Sequence, residues 1–436
     1  MIKTFIIVFA AAFGITTALI TDNMGLIKYD VQAKSDMDNN ECPDFAKFTG
    51  KLSGKNVCKL SGVYTNDIHL SKDILWALED EVIIGGDNTN SATITIESGT
   101  NIFGQSGDDY LYISRGSKIF ANGTKEEPIN FTSKKEIIGL ASKYHKGEWG
   151  GIVIAGNAPT NVVKGEKFEF ALNGGEFGGN DPHDNSGVLT YVLIKYAGNE
   201  VGKDKELNGL SLGGVGDKTL IDYIEVYNNY DDGIEFWGGT VNLKHIVLIG
   251  NGDDNIDTDH GYQGKMQYVY IKQTSTTSRN PRGIEADNLS GNFTATPVSK
   301  PMIANFEMHG SSDSHEGILL RRGSGATLIN GYVDGFNKCF GVRDRASSSK
   351  GNIQLRSVTL NSCTDEIFSY KSSTGVNEEK VKEIFYQSTS NTANSITQAQ
   401  NVRKLTQNTF FDEAPFVGSY ARDNDWRQGW SVGLNE

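Results

Sequence analysis

Between residues 220 and 345, short runs of apolar and β-branched residues recur at a nearly constant spacing, and each run is bordered by Gly, Asn and Asp. The segment IEVYNNYDDGIEFWGG at 224–239 is followed 22 positions later by IVLIGNGDDNIDTDHG at 246–261. Looser copies are RGIEADN at 282–288, HEGILLRR at 315–322 and FGVRDR at 340–345. A repeat of this length, made of short strands and turn residues, predicts a β-solenoid whose coils stack on one another.

The alternation of side chains within each copy predicts which residues face the core and which face outward. The predicted inward column contains Ile234, Ile256, Ile284, Ile318 and Val342. Because the next residue of a strand points to the opposite side, the first outward column is Glu235, Asp257, Glu285, Leu319 and Arg343. Two residues further on, the second outward column is Trp237, Asp259, Asp287, Arg321 and Arg345. Neighbouring strands lie about 4.8 Å apart, so the acids of these columns should form one carboxylate patch.

Three arrangements could relieve the repulsion within this patch, and the sequence leaves all three open. The first is a bound cation, for which oxygen-only ligands favour Ca²⁺ over zinc; the candidate ligands are Glu235, Asp257, Asp259, Glu285 and Asp287. The second is a carboxyl that keeps its proton and could act as a general acid. The third is a ladder of ion pairs, such as Asp287 with Arg321, because arginines continue the same columns.

The turns between strands carry further candidates, each with a structural alternative. The pairs Asp231–Asp232 and Asp253–Asp254 are either functional acids or turn residues that bond their own backbone. Trp237, which precedes two glycines, is either a platform for sugar stacking, with Arg321 as a second carbohydrate contact, or a ring packed beneath a loop.

Composition narrows the class of partner. The chain has 436 residues, with 50 Gly and only 8 Pro, which suits a strand-rich fold with many tight turns. The net charge of −13 argues against nucleic acid, whose phosphates need a basic surface. The same charge is compatible with cations.

The N-terminus predicts export. Lys3 precedes an apolar run from Phe5 to Ile20, so residues 1–20 read as a signal peptide and 21–41 as a flexible segment. No second long apolar run follows, so no membrane span is expected after signal removal, and the protein should be secreted, periplasmic or at the cell surface. Export permits disulfides, and the four cysteines predict the pairs Cys42–Cys58 and Cys339–Cys363. The alternative for Cys339 and Cys363 is that they are small buried apolar residues.

The repeat ends before the chain does. Residues 42–374 are predicted to form the solenoid and residues 375–436 a capping region. The aromatic side chains expected to cover the open end of the core are Phe410, Phe411, Phe416, Trp426 and Trp430.

Several segments resemble a widespread group of secreted bacterial proteins with a pectin-lyase-like, right-handed parallel β-helix. They include EWGGIVIAGNAP at 148–159, KELNGLSLGGVG at 205–216 and the closing WRQGW at 426–430. The resemblance extends over nearly all of the chain after the signal peptide. It implies an all-β parallel β-helix and export, and it implies no particular reaction.

A weaker resemblance is to polygalacturonase-like glycosidases of the same fold. The segments Asp232-Gly233-Ile234-Glu235 and Gly252-Asp253-Asp254-Asn255-Ile256 are similar to their first two acidic coils. The similarity then fails, because Arg282 stands where a His is expected and His315 comes one coil late. The resemblance implies Asp232, Asp253, Asp254 and His315 as catalytic candidates. Related lyases, which use Ca²⁺ and an Arg base, add Arg282.

These observations favour an exported, non-enzymatic binding or scaffold protein. Its expected partner is a polysaccharide or another surface protein, and its acidic face is a candidate for cation or carbohydrate contact. The alternative is a polysaccharide hydrolase or lyase with carboxylates on consecutive coils. No cofactor is required by the sequence, and Ca²⁺ is the candidate.

Overall fold

The structure is a computed structural model that describes most of the chain. The described residues are 15–22, 25–32, 42–162, 167–170, 175–203, 205–274, 281–311, 314–349, 352–370 and 375–435. Within these residues, no helix combines the length and the apolar character that a membrane span requires.

Two antiparallel hairpins precede the coils. Strands β1 (Ile15–Asp22) and β2 (Gly25–Gln32) pair with each other, so part of the segment predicted to be flexible is a strand. The signal peptide stays a prediction. Strands β3 (Lys47–Leu52) and β4 (Lys55–Tyr64) form the second hairpin, and β4 also pairs in parallel with the first coil. The predicted disulfide between Cys42 and Cys58 is confirmed, with Cα atoms 5.7 Å apart.

The first coils are the least regular. Their elements are β5 (Ile68–Leu70), β6 (Leu75–Ile84), β7 (Thr93–Ile96), β8 (Asn101–Gly104), β9 (Tyr110–Ile113), β10 (Lys118–Asn122), β11 (Ile129–Ser133), α1 (Lys134–Ile137), β12 (Gly151–Ala155), β13 (Gly187–Lys195), β14 (Asn199–Gly202) and β15 (Lys205–Leu207). Strands β14 and β15 form a small antiparallel hairpin outside the main sheet. The remaining strands of this group pair in parallel with strands of the neighbouring coils.

From residue 210 onward each coil contributes one short and one long strand. In chain order these are β16 (Leu210–Gly213), β17 (Leu220–Tyr227), β18 (Ile234–Trp237), β19 (Asn242–Ile249), β20 (Ile256–Asp259), β21 (Lys265–Lys272), β22 (Ile284–Ala286), β23 (Met302–His309), β24 (Glu316–Leu320), β25 (Ala326–Asp334), β26 (Lys338–Val342), β27 (Ile353–Asn361) and β28 (Asp365–Ser369). Short strands pair with short strands and long with long, always in parallel. The predicted right-handed parallel β-helix is therefore confirmed.

The long strands bend where one residue has a positive φ. This residue is Tyr223, His245 and Tyr268 on three successive coils, with φ between 49° and 63°. Their side chains stack, with ring centroids 4.1 Å and 4.8 Å apart. The bend turns the strand from one face of the coil to the next, so that each coil encloses a core of aliphatic residues.

A disulfide and a helix complete the C-terminal coils. Cys339 in β26 is bonded to Cys363, 24 residues later and one coil further on, as predicted. Helix α2 (Glu378–Phe385) follows, and its buried Val381 and Phe385 join the end of the core. The last elements are β29 (Thr392–Ala393) and α3 (Val402–Thr406).

The segment from residue 398 to residue 434, here called the C-terminal strap, corrects the expectation that the closing aromatic residues cap the core. The strap runs back along the outside of the coils. Ser357 donates to the carbonyl of Gln398 at 2.6 Å, and Asn305, two coils earlier, donates to the carbonyl of Phe416 at 2.8 Å. Phe411 and Trp430 pack on the outer faces of the long strands.

Candidate functional site

The short strands place the predicted inward column as expected for its first four members. Ile234 pairs in register with Ile256, Ile256 with Ile284, and Ile284 with Ile318. All four side chains lie in the central core. The outward residues that follow them therefore also lie in register on the opposite side of the sheet.

The fifth member of each column is corrected. Ile318 pairs with Phe340, so Val342 lies two residues beyond the predicted position. Phe340 is the equivalent residue because this coil keeps the usual spacing of 22 residues from Ile318. Consequently Gly341 follows Leu319 in the first outward column, Arg343 follows Arg321 in the second, and Arg345 leaves both.

The first outward column brings Glu235, Asp257 and Glu285 side by side on β18, β20 and β22. Ser211 precedes them in the same column, on β16. Glu285 is only 3% exposed, and its neighbour in the second column, Asp287, is 1% exposed. Glu235 and Asp257 are half-buried, so the carboxylates form a partly to fully buried row rather than a solvated surface.

A second row of charges lies in the turns, two residues before each residue of the inward column. The row contains Asp232, Asp254, Arg282, Glu316 and Lys338. Asp232 is 8% exposed and accepts a hydrogen bond from the backbone N–H of Asp254 at 2.8 Å, so it links two coils. This bond matches the alternative that the turn aspartates serve the backbone, although in the neighbouring coil rather than in their own.

The two rows approach closely enough for shared ligands. Three sets of carboxylates each place one oxygen per residue within 4.8 Å of the others. The sets are Asp231, Asp232 and Asp253; Asp232, Glu235 and Asp257; and Asp254, Asp257 and Glu285. Oxygens at these separations can surround one cation, and without one they repel.

Arginines compensate the acids on the C-terminal side of this face. Arg282 donates to Glu316 at 2.7 Å and lies 3.4 Å from Asp254 and 3.2 Å from Glu285. Arg321 bonds Asp287 at 2.7 Å and also contacts Glu285. The ion-pair ladder that the sequence left open is therefore present here.

Arg322 and Glu316, which the sequence analysis did not select, complete this ladder. Arg322 bonds the second oxygen of Asp287 at 2.6 Å. Glu316 is fully buried and receives Arg282, His315 and the hydroxyl of Tyr370. The signal for Glu316 was its position before Gly317-Ile318, where Asp232 stands before Gly233-Ile234.

The set of Asp232, Glu235 and Asp257, here called the acidic triad, has no such compensation. Within the described part of the chain, no lysine, arginine or histidine forms an ion pair with any of the three. Asn208 donates to Glu235 at 2.6 Å, but Oδ1 of Asp257 is buried and has no hydrogen-bond donor among the described residues. Oγ of Ser211, one strand before Glu235, is likewise buried without a partner there.

The pKa values of acids in both parts of this face are raised. Burial raises the pKa of Asp232, Glu235 and Asp257 well above the ordinary carboxyl value, and neighbouring acids add to the rise. Arg321 opposes the rise at Asp257 without reversing it. Burial also raises the pKa of Glu285, to about 8. A cation would replace the protons that these carboxyls otherwise hold.

Arg282 is held as a permanent cation. Burial favours the loss of its proton, but the charges of Asp254, Glu285 and Glu316 outweigh burial and raise its pKa above the ordinary arginine value. A lyase base must give up that proton. The position of Arg282 therefore suits an ion pair, and its role as a base stays a prediction.

Of the remaining candidates, Trp237 and Arg321 are engaged by other side chains. Trp237 is 6% exposed and makes a T-shaped contact with Phe168, with ring centroids 5.1 Å apart, so the ring is packed and not presented to solvent. Arg321 is occupied by Glu285 and Asp287. His315 contacts Glu316 and keeps 32% of its side chain exposed. The carboxylate of Asp259 lies 3.3 Å from Nδ1 of His260.

Comparison with protein families agrees with this architecture. The model of the pectate-lyase-like β-helix domain matches residues 62–431. This chain belongs to that family. The match includes all the regular coils and most of the C-terminal strap, so the strap is part of the family domain. Comparison with curated proteins and comparison with solved structures give no match.

Proposed function

We propose that this β-helix protein is exported and acts without catalysis, as a binding or scaffold protein whose acidic face holds Ca²⁺. The observation that carries the proposal is the acidic triad, with its oxygens within 4.8 Å of one another and no compensating cation in the described residues. Carboxylate oxygens in such a group are the ligands that Ca²⁺ takes in proteins. The two disulfides support an oxidising compartment outside the cytoplasm.

The arrangement favours this role over hydrolysis. A glycosidase needs two carboxyls about 5–10 Å apart across a space that admits the sugar. Here Asp232 and Asp254 are nearly buried, and one bonds the backbone of the other. Oδ1 of Asp232 is engaged by the backbone of the neighbouring coil, which favours a structural role over the cleavage of a sugar.

The decisive experiment is calorimetric titration with Ca²⁺ combined with thermal unfolding. We expect measurable heat and a higher melting temperature, since an ion at a hundred times its Kd adds about 2.7 kcal/mol to stability. Binding should release protons and tighten as pH rises, because the carboxyls of the acidic triad hold protons when no ion is bound.

The double variant E235Q/D257N should abolish both effects. The matched control is E413Q/D423N, which removes the same two charges from exposed positions of the strap. Absence of heat and of any thermal shift in the native protein would overturn the proposal. Equal binding by E235Q/D257N and by the control would show that the acidic triad is not the site.

A further inference from the structure

A loop outside the acidic face carries an excess of positively charged residues. Residues 134–146, here called the basic loop, include α1 and carry four lysines against one glutamate, although the whole chain has a net charge of −13. Lys134 and Lys143 are exposed, whereas Lys135 forms an ion pair with Glu148 at 2.6 Å and Lys146 is half-buried. This local excess of positive charge is complementary to an anionic surface.

The same loop exposes apolar side chains. Leu140 is 59% exposed, Tyr144 78% and Ile138 38%. Scattered single apolar residues on a surface need no explanation, but these three lie within seven residues and are interleaved with the lysines. Nζ of Lys143 lies 5.4 Å from the centre of the Tyr144 ring, so charge and ring occupy one part of the loop.

The base of the basic loop is fixed to the coils on both sides. Ser53 donates to the carbonyl of Ile137 at 3.1 Å, and Asn228 donates to the carbonyl of Lys143 at 3.0 Å. Lys146 bonds the carbonyl of Gly250. Ala141 packs against the cluster that contains Tyr227. The exposed apolar side chains are thus presented from an anchored base, which lowers the ordering cost of binding.

We propose that the basic loop docks this protein on an anionic lipid surface. Lysines draw such a loop to anionic headgroups, each contributing about 1 kcal/mol near the surface. Leucine and isoleucine enter the boundary between headgroups and acyl chains, and tyrosine is suited to the headgroup level. A soluble polyanion would use the lysines but would gain nothing from the exposed Leu140 and Ile138.

The test is co-sedimentation with phospholipid vesicles. We expect the native protein to bind vesicles that contain an anionic phospholipid and not vesicles of phosphatidylcholine alone, and high salt should weaken binding. The variant L140E/Y144E should bind at least about tenfold more weakly. Its matched control is Y386E/I396E, which changes two similarly exposed apolar residues near the C-terminal end of the coils and should bind like the native protein.

A second pair of variants tests the charge. K134Q/K143Q should weaken binding to anionic vesicles, and the control K203Q/K404Q, at two exposed lysines elsewhere, should not. Circular dichroism of each variant checks that the β-helix is retained. The proposal is overturned if the native protein does not sediment, or if it binds neutral vesicles equally. It is also overturned if L140E/Y144E and its control bind alike, which would assign the lysines to a soluble polyanion.

Discussion

At the scale of single residues, Glu225 is the buried acid whose behaviour is easiest to isolate. It is fully buried on β17, beneath the C-terminal strap, and both of its carboxylate oxygens accept from the N–H of Val432, at 2.9 Å and 3.2 Å. Burial raises its pKa to about 8, and the N–H of Val432 limits the rise. At pH values between 4.5 and about 8, Glu225 therefore keeps a proton in the folded chain that it has released in the unfolded chain.

The proton on Glu225 makes the stability of the protein depend on pH. Between the ordinary glutamate pKa of 4.5 and about 8, the folded state binds more protons than the unfolded state, so stability should fall as pH rises through this window. E225Q keeps an acceptor for Val432 without a charge. It should match the native protein at pH 4 and exceed its free energy of unfolding by up to about 5 kcal/mol at pH 9.

Urea unfolding at both pH values measures the effect. E413Q, at an exposed position, should follow the native protein throughout. If E225Q and the native protein differ equally at pH 4 and pH 9, Glu225 does not carry the proton.

At the scale of the elements, the sheet of short strands depends on Arg282 to neutralise acids from three coils. R282M would leave Asp254, Glu285 and Glu316 without this cation in buried positions. Breaking a buried ion pair from one side costs about 3–5 kcal/mol. We expect a loss of this size at pH 8 and a smaller one at pH 4, because protonated carboxyls need no counter-charge.

The control for this substitution is R345M. Arg345 is exposed on a later coil, and its loss should change stability by less than about 0.5 kcal/mol. Denaturation midpoints of both variants at pH 4 and pH 8 decide the matter. An equal loss for R282M at the two pH values would mean that packing, and not charge, explains its effect.

The sheet also shows what the sequence could predict at this scale. The period of the repeat and the alternation of side chains were sufficient to place Ile234 beside Ile256 and Glu235 beside Asp257, because both depend only on strand geometry. They were insufficient at Phe340, where an apolar residue on either side of Gly341 fits the pattern. Some acids of this sheet are paired with arginines and the acidic triad is not. This division depends on where the long arginine side chains point, which the spacing of residues in the sequence does not determine.

At the scale of the whole molecule, the C-terminal strap is the feature that the repeat could not predict. The strap has no repeat of its own, and its route follows from the surfaces that it covers. It contacts Ser357 and Asn330 near its start and Glu225 at its end, so it leads from the last coils back to an earlier one. Its aromatic residues therefore cover the flank of the β-helix and not its end.

Because every coil already pairs with its neighbours, removing the strap should expose surface without unwinding the β-helix. A chain ending at Thr397 would uncover Val247, Ile249 and Tyr270 beneath Trp430, and Ala304 and Ile329 beneath Phe411. A chain ending at Ala421 should uncover only the first group.

We expect both truncated chains to keep the far-ultraviolet circular dichroism of a β-protein and to unfold at lower temperature. Binding of a hydrophobic dye should be greatest for the shorter chain, because that chain exposes both apolar groups. Its melting temperature should also fall furthest, since stability is lost in proportion to the apolar area returned to water. Loss of all β-structure in either chain would show that the strap is required for the coils to fold, and an unchanged melting temperature would show that its contacts contribute nothing.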